Sequence, residues 1–139
     1  MSKYAVFSTI MSDEHFLASA LSEMGYRVET HANGAALFGY QGDRRPERAH
    51  VIIRRHQLDA ASNDIGFIRT SDGRFEAVLS EYDRQIGYDD AWLGKVQQIY
   101  KEKQTIAVAK AKGYIFHGRE VSKGPNGKEQ IRLRFGVRS

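Results

Sequence analysis

Apolar and polar positions along the chain fall into short alternating runs, interrupted by two stretches of helical period. Lys3 to Met11, containing YAVFSTI, reads as a strand with mixed alternation. Ser12 then has the character of an N-cap, with Asp13 and Glu14 in a first turn whose dipole favours acids. Phe16, Leu17, Ala20, Leu21 and Met24 fall on one stripe at helical spacing, and Gly25 closes that helix. Tyr26 to Thr30 alternates as a second strand. The pattern dissolves between Ala32 and Ala49, where Asn33-Gly34, Gly39-Tyr40-Gln41-Gly42 and Arg44-Arg45-Pro46 predict a long irregular loop. Loops on a rigid scaffold host sites more often than cores do. Gly39, Tyr40, Gln41, Gly42, Arg44 and Arg45 are therefore the candidate binding loop.

Alternation resumes at Val51–Arg55, Asp64–Thr70 and Arg74–Ser80. The last two are joined at Ser71-Asp72-Gly73, a hairpin signal. After Tyr82-Asp83 the period becomes 3.6. Asp89 or Asp90 caps a long helix with an apolar stripe of Trp92, Val96, Ile99, Tyr100 and Ile106 or Ala107. It ends at Gly113, and a break at Gln104-Thr105 would make it two helices. Tyr114–Val121 and Glu129–Phe135 form a closing hairpin across Gly124-Pro125-Asn126-Gly127. In its last strand Ile131, Leu133 and Phe135 face one way, and Gln130, Arg132 and Arg134 the other. The order β-α-β-β-β-β-α-β-β, dominated by hairpins, predicts an α+β fold: a largely antiparallel sheet with two helices packed on one face.

A length of 139 residues fits one domain, 1–139, with an apolar fraction of 41% that is ordinary for a folded chain. No stretch approaches the roughly 18 apolar residues of a membrane span, and no secretory signal pattern opens the sequence. The expected setting is cytoplasmic. Charge changes the picture more. Residues 1–94 carry ten Lys/Arg and fourteen Asp/Glu, whereas residues 95–139 carry eleven and three. A basic last third of this kind is a solubilising face, or a surface for nucleic acid or an acidic protein.

Cysteine is absent, which removes thiolate nucleophiles, disulfides and most structural zinc sites. No phosphate-binding loop, dinucleotide fingerprint or serine nucleophile elbow occurs. His50 and His56 flank one strand at a separation of about 20 Å, too far to share a metal; no metal site and no cofactor are expected. Asp64 opens one strand of the predicted hairpin and Asp83 follows its partner. The two thus share one end of the ladder, where a pair of carboxylates could support acid/base work. The simpler expectation is that both serve turns. Arg54, Arg55, Arg119, Arg132 and Arg134 alternate with aromatic residues and form the candidate basic patch, in the manner of sheets that hold single-stranded nucleic acid. No strand carries the signature of an RNA-recognition motif.

Several of these pieces, in order, resemble the hypothetical chloroplast reading frame thirty-five family, also known as domain of unknown function twelve fifty-seven. The resemblance spans nearly the whole chain. It is carried by Ser8, Ile10, Leu17, Ala20, Leu21 and Gly25, by Gly39-Tyr40-Gln41-Gly42 and Asp64-Ile65-Gly66-Phe67, and by Tyr82-Asp83, Tyr100, Gly113 and Ile131-Arg132-Leu133. It implies an accessory or adaptor role, association with an AAA-type ATPase, and no assigned activity. The Arg-rich Arg44–Arg55 stretch and the basic tail depart from plastid members and point to a bacterial or phage source. The expectation is a non-catalytic interaction module; the alternative is a nucleic-acid or nucleotide-phosphate binder using the basic last third.

Overall fold

The computed structural model describes residues 2–137. The chain divides into two compact units, Met1–Tyr100 and Lys101–Ser139. Unit one contains β1 (Tyr4–Ser8), α1 (Glu14–Glu23), β2 (Val28–Phe38), β3 (Arg44–Ile53), a single 3₁₀ turn (Arg55–Gln57), β4 (Ile65–Arg69), β5 (Phe75–Ser80), the short α2 (Glu81–Gln85) and the first half of α3 (Asp90–Ala111). Unit two contains the rest of α3, β6 (Tyr114–Lys123) and β7 (Glu129–Val137).

The sheet of unit one has the order β1-β5-β4-β3-β2, with every neighbouring pair antiparallel. β1 and β2 are thus opposite edges, and α1 carries the chain from one to the other. The expected α+β architecture is found. Alternation along the strands sends Val51, Ile53, Ile65, Phe67, Phe75, Ala77 and Leu79 to one face. There they bury against Leu17, Ala20 and Leu21 of α1 and Leu93, Val96, Ile99 and Tyr100 of α3. Each of the larger side chains contributes roughly 1.5–3 kcal/mol by leaving water. Tyr100 adds a polar function: its hydroxyl accepts from the backbone N–H groups of Ser12 (3.1 Å) and Asp13 (2.9 Å), fixing the entry to α1. The cap itself is Asp13, whose Oδ1 accepts from Phe16 N, rather than Ser12. Asp89 caps α3, which runs unbroken past Gln104-Thr105.

The stretch from Ala32 to Ala49 departs from expectation. It is the far half of a long β2–β3 hairpin, and only Gly39 to Asp43 is turn. Gly34 and Pro46 fall at register shifts, after Thr30 and after Ala36, while Gly39 and Gly42 lie in the turn itself. Pro46 lies in the part of β3 that pairs with β2 alone, where a missing N–H interrupts no central ladder. Across those shifts the hairpin curls over the second face of the sheet. Leu37 and Ala49 then bury against Ile52 and Val78, with Tyr4, Ala35 and Ile68 at the margin. Gly66 sits beneath them. A Cβ there would lie 2.7 Å from Ala49 Cβ and 3.0 Å from Leu37 Cδ1, so only glycine admits the hairpin this close.

Unit two is built differently. β6 and β7 form a two-stranded antiparallel sheet. Tyr114 faces Val137, Phe116 faces Phe135 and Val121 faces Ile131. Phe116 and Val121 are an odd number of residues apart and would normally point to opposite faces. A bulge after Phe116 inserts one residue and restores them to the same side, using Gly118 at φ +152°, a conformation L side chains rarely adopt. Most apolar side chains of the hairpin consequently share one face, while Glu120, Arg132 and Arg134, with Ile115, occupy the other. Arg119, on the apolar face, reaches Glu102 of α3 through two hydrogen bonds of 3.0 and 3.1 Å.

Candidate interaction surfaces and a buried polar node

The start of β4 is preceded by three fully buried polar residues, Ser62, Asn63 and Asp64. Burying such groups is costly unless every one is bonded, and the surrounding turns supply the partners. Asp64 Oδ2 accepts from Phe38 N (2.8 Å) and from Arg54 Nη1 (2.8 Å), and Oδ1 from Arg55 N (2.7 Å). Its own backbone is held from two sides, by Asp64 N to Phe38 O and by the Tyr4 hydroxyl donating to Asp64 O at 2.7 Å. Asn63 Oδ1 accepts from Tyr40 N, and its amide donates to Ser80 Oγ. Asp83 Oδ2 accepts from Asn63 N (3.1 Å) and Ser80 Oγ (2.7 Å), while Ser80 caps α2 by accepting from Asp83 N. Asp83 Oδ1 is buried with no hydrogen-bond partner among the described residues.

The Gly39–Gly42 turn, the Asp64 strand start and the Tyr82-Asp83 helix start, separate in sequence, thus belong to one hydrogen-bonded node. Asp64 and Asp83 lie at the same end of the sheet, as their positions in the hairpin implied, yet their oxygens go to separate partners. Burial, with the nearby Asp64 and Asp83 charges and against the opposing charge of Arg45, pushes the Tyr4 phenol well above its ordinary range. Arg54 continues the node outward, with its guanidinium binding Glu29 through two 2.9 Å hydrogen bonds. Those bonds lower the Glu29 carboxyl pKa to about 2, against the opposing effect of burial and with help from His31.

The candidate residues therefore fall in different settings. Tyr40 is exposed at the turn, with Gln41 donating to its hydroxyl. Arg44 is exposed at the start of β3. Arg45 folds back onto the fold, donating to Ser2 O and lying 4.7 Å over the Tyr4 ring. Arg54 is engaged by two carboxylates, and Arg55 shares with Phe38, His56 and Asp64 a shallow cleft of about 300 Å³. Arg54 and Arg55 belong to unit one; Arg119, Arg132 and Arg134 belong to unit two. Within unit two Arg119 pairs with Glu102 and Arg134 with Glu120 at 3.3 Å. Among the described residues no group of three or more His, Asp or Glu could hold a metal ion. No described helix is long and apolar enough to cross a membrane.

Unit two carries a surface the sequence pattern did not single out. None of its described residues is buried. Tyr114, Ile115 and Phe116 are each at least 40% exposed, Val121 is 49% and Val108 48%. Between the second half of α3 and the start of β6 lies a groove of about 540 Å³, lined by Ile106, Lys110, Gly113, Tyr114, Ile115 and Phe116. The available signal was the change within α3: its first half has a continuous apolar stripe, and its second half carries Lys101, Lys103 and Lys110.

Neither a curated protein nor a solved structure matches this chain. One family model does, over residues 20–131, a span that includes the Gly39–Gly42 turn, the buried node and most of the basic hairpin. The chain belongs to the family described as protein of unknown function, DUF1257.

Proposed function

We propose that this protein is a non-catalytic interaction module, an adaptor or accessory protein that docks on a protein partner. The observation that carries this reading is unit two. It exposes a row of aromatic and aliphatic side chains beside a groove, and buries none of them. Contiguous exposed apolar surface of this kind marks interaction sites. The node supports the same reading from the other side. Asp64, one of the two candidate carboxylates, has its oxygens occupied by two backbone N–H groups and Arg54, a structural use. An AAA-type ATPase is the proposed partner, on the resemblance carried by the Gly39–Gly42 and Asp64–Phe67 motifs. The narrower likeness to the chloroplast reading frame thirty-five proteins, in a bacterial or phage chain, is part of the same proposal.

The test is cross-linking of the tagged full chain in its host, followed by mass spectrometry. The expected result is a small set of cross-linked proteins, including an ATPase, enriched over a tag-only control. Absence of any specific protein refutes the reading. A second reading, nucleic-acid binding, is favoured by one observation: residues 101–139 carry ten Lys/Arg against three Asp/Glu. It requires oligonucleotide binding at about 50 mM salt that weakens steeply by about 200 mM.

A further inference from the structure

We propose that the groove between the second half of α3 and the start of β6 is the docking site for an acidic, amphipathic segment of a partner protein. The assignment rests on the interaction reading above and names the surface and the chemistry of what covers it. Three observations carry it.

The first is missing cover. An isolated two-stranded hairpin is at best marginal in water, and needs a third strand or a helix with a shared apolar interface. Here β6 and β7 meet only partial cover: Ile131, Leu133 and Phe135 are half-buried, and Tyr114, Phe116, Val121 and Val137 remain exposed on the same face. The second is charge. A net +7 over residues 101–139 selects an acidic occupant, and Lys110 lines the groove itself. A second copy binding through this same surface would bring like charge against like charge. The third is the shape of the apolar side chains. Single-stranded nucleic acid is held by flat rings on which bases stack. The exposed apolar set here holds four aliphatic side chains, Val108, Ile115, Val121 and Val137, beside two rings, Tyr114 and Phe116. Phe116 turns toward Phe135, with centroids 5.7 Å apart and planes at 57°. Aliphatic anchors with a basic surround fit apolar side chains spaced along an acidic peptide.

The test is selection of a random-peptide display library on the immobilised full chain, followed by affinity measurement with the enriched peptides. Expected are peptides with net negative charge and at least two large apolar side chains. Phe116→Ala should weaken them about tenfold, as truncation of a central anchor does. Lys110→Glu should weaken them further, and Phe116→Leu should restore most of the affinity. Trp92, the single tryptophan, lies in unit one and reports by fluorescence that each variant remains folded there. The assignment is overturned by enriched peptides without acidic bias, or by peptides that bind Phe116→Ala undiminished. It is equally overturned if a thymidine oligonucleotide displaces the peptides and itself requires Phe116, or if light scattering shows a dimer that Phe116→Ala dissociates. Binding mapped elsewhere on the chain defeats the groove and leaves the interaction reading standing. Failure of that broader reading appears separately, as no protein cross-linked in the host.

Discussion

Asp64→Asn keeps the shape of the side chain at the centre of the buried node and removes its charge. The native carboxylate accepts three hydrogen bonds, from Phe38 N, Arg55 N and Arg54 Nη1, at 2.7–2.8 Å. An amide has one accepting oxygen, so whichever way it turns, its NH₂ meets at least one of these donors head-on. The side chain is only 2% exposed, so solvent has little access to the donor left behind. An orphaned buried donor costs about 1–3 kcal/mol, and removing one partner of a buried ion pair costs about 3–5 kcal/mol. These costs overlap because Arg54 is shared between them, which places the expected loss at about 3–5 kcal/mol. That is a large share of the roughly 5–15 kcal/mol that holds a domain together. Urea unfolding of the full chain, followed by Trp92 fluorescence, measures it. Glu29→Gln is the internal control: it removes the other partner of the same guanidinium, but at a position 43% exposed, where solvent screens the pair, and should cost less than Asp64→Asn. A double-mutant cycle should therefore show Arg54 coupled more strongly to Asp64 than to Glu29. If Asp64→Asn unfolds within about 0.5 kcal/mol of the native chain, the node does not hold the fold and the structural role given to Asp64 is wrong.

Gly66→Ala should destabilise by about 1–3 kcal/mol, because the new methyl overlaps Ala49 Cβ and the Leu37 methyls; thermal unfolding reads this, and Gly66→Ala paired with Leu37→Ala should recover part of it. Glu29 titrates at about 2 in the fold against an ordinary 4.5, so its contribution is present above about pH 4.5 and lost as pH falls toward 2. The stability difference between the native chain and Glu29→Gln should accordingly shrink across that window, and a difference that is flat with pH refutes the pairing. Amide exchange should be slow in β3, β4 and β5 of unit one and fast throughout β6 and β7, since no described residue of unit two is buried; equal protection in the two would contradict the exposed character assigned to the hairpin.

The helices and the antiparallel sheet were legible because their signals are local. Stripes such as Leu17, Ala20, Leu21 and Val96, Ile99, Tyr100 follow from one period, and the Asp72-Gly73 turn from two residues. The β2–β3 hairpin was not legible, because its far half is stabilised from outside itself. Leu37 finds its burial on Ile52 and Val78, and Gly39-Tyr40 find their place through Asn63. Nothing in the spacing of Asn33-Gly34 distinguishes a register shift from a loop. The same limit applies to Arg54. As a member of an Arg-Arg pair it suggests a basic surface, but its meaning is set by Glu29 of β2 and by Asp64 just before β4. The closing hairpin shows the converse: the alternation of Ile131, Leu133 and Phe135 places them on one face, and what that face meets is not encoded in the alternation.

The two units use polar groups in opposite ways, and the difference bears on where partners act. In unit one five buried polar side chains, Ser62, Asn63, Asp64, Ser80 and Asp83, are spent on joining three turns, so a change there alters the fold before it alters recognition. In unit two the charged residues sit in the open around apolar side chains that the chain leaves exposed, so a change there should alter recognition first. A partner that binds through the Gly39–Gly42 turn would sense the integrity of the node beneath it, because Tyr40 N is bonded directly to Asn63. A partner that binds the groove would not. Comparing Asp64→Asn with Phe116→Ala in one binding assay therefore separates the two surfaces: loss of binding in folded Phe116→Ala alone places the partner on unit two, and loss that tracks the stability of Asp64→Asn places it on the turn.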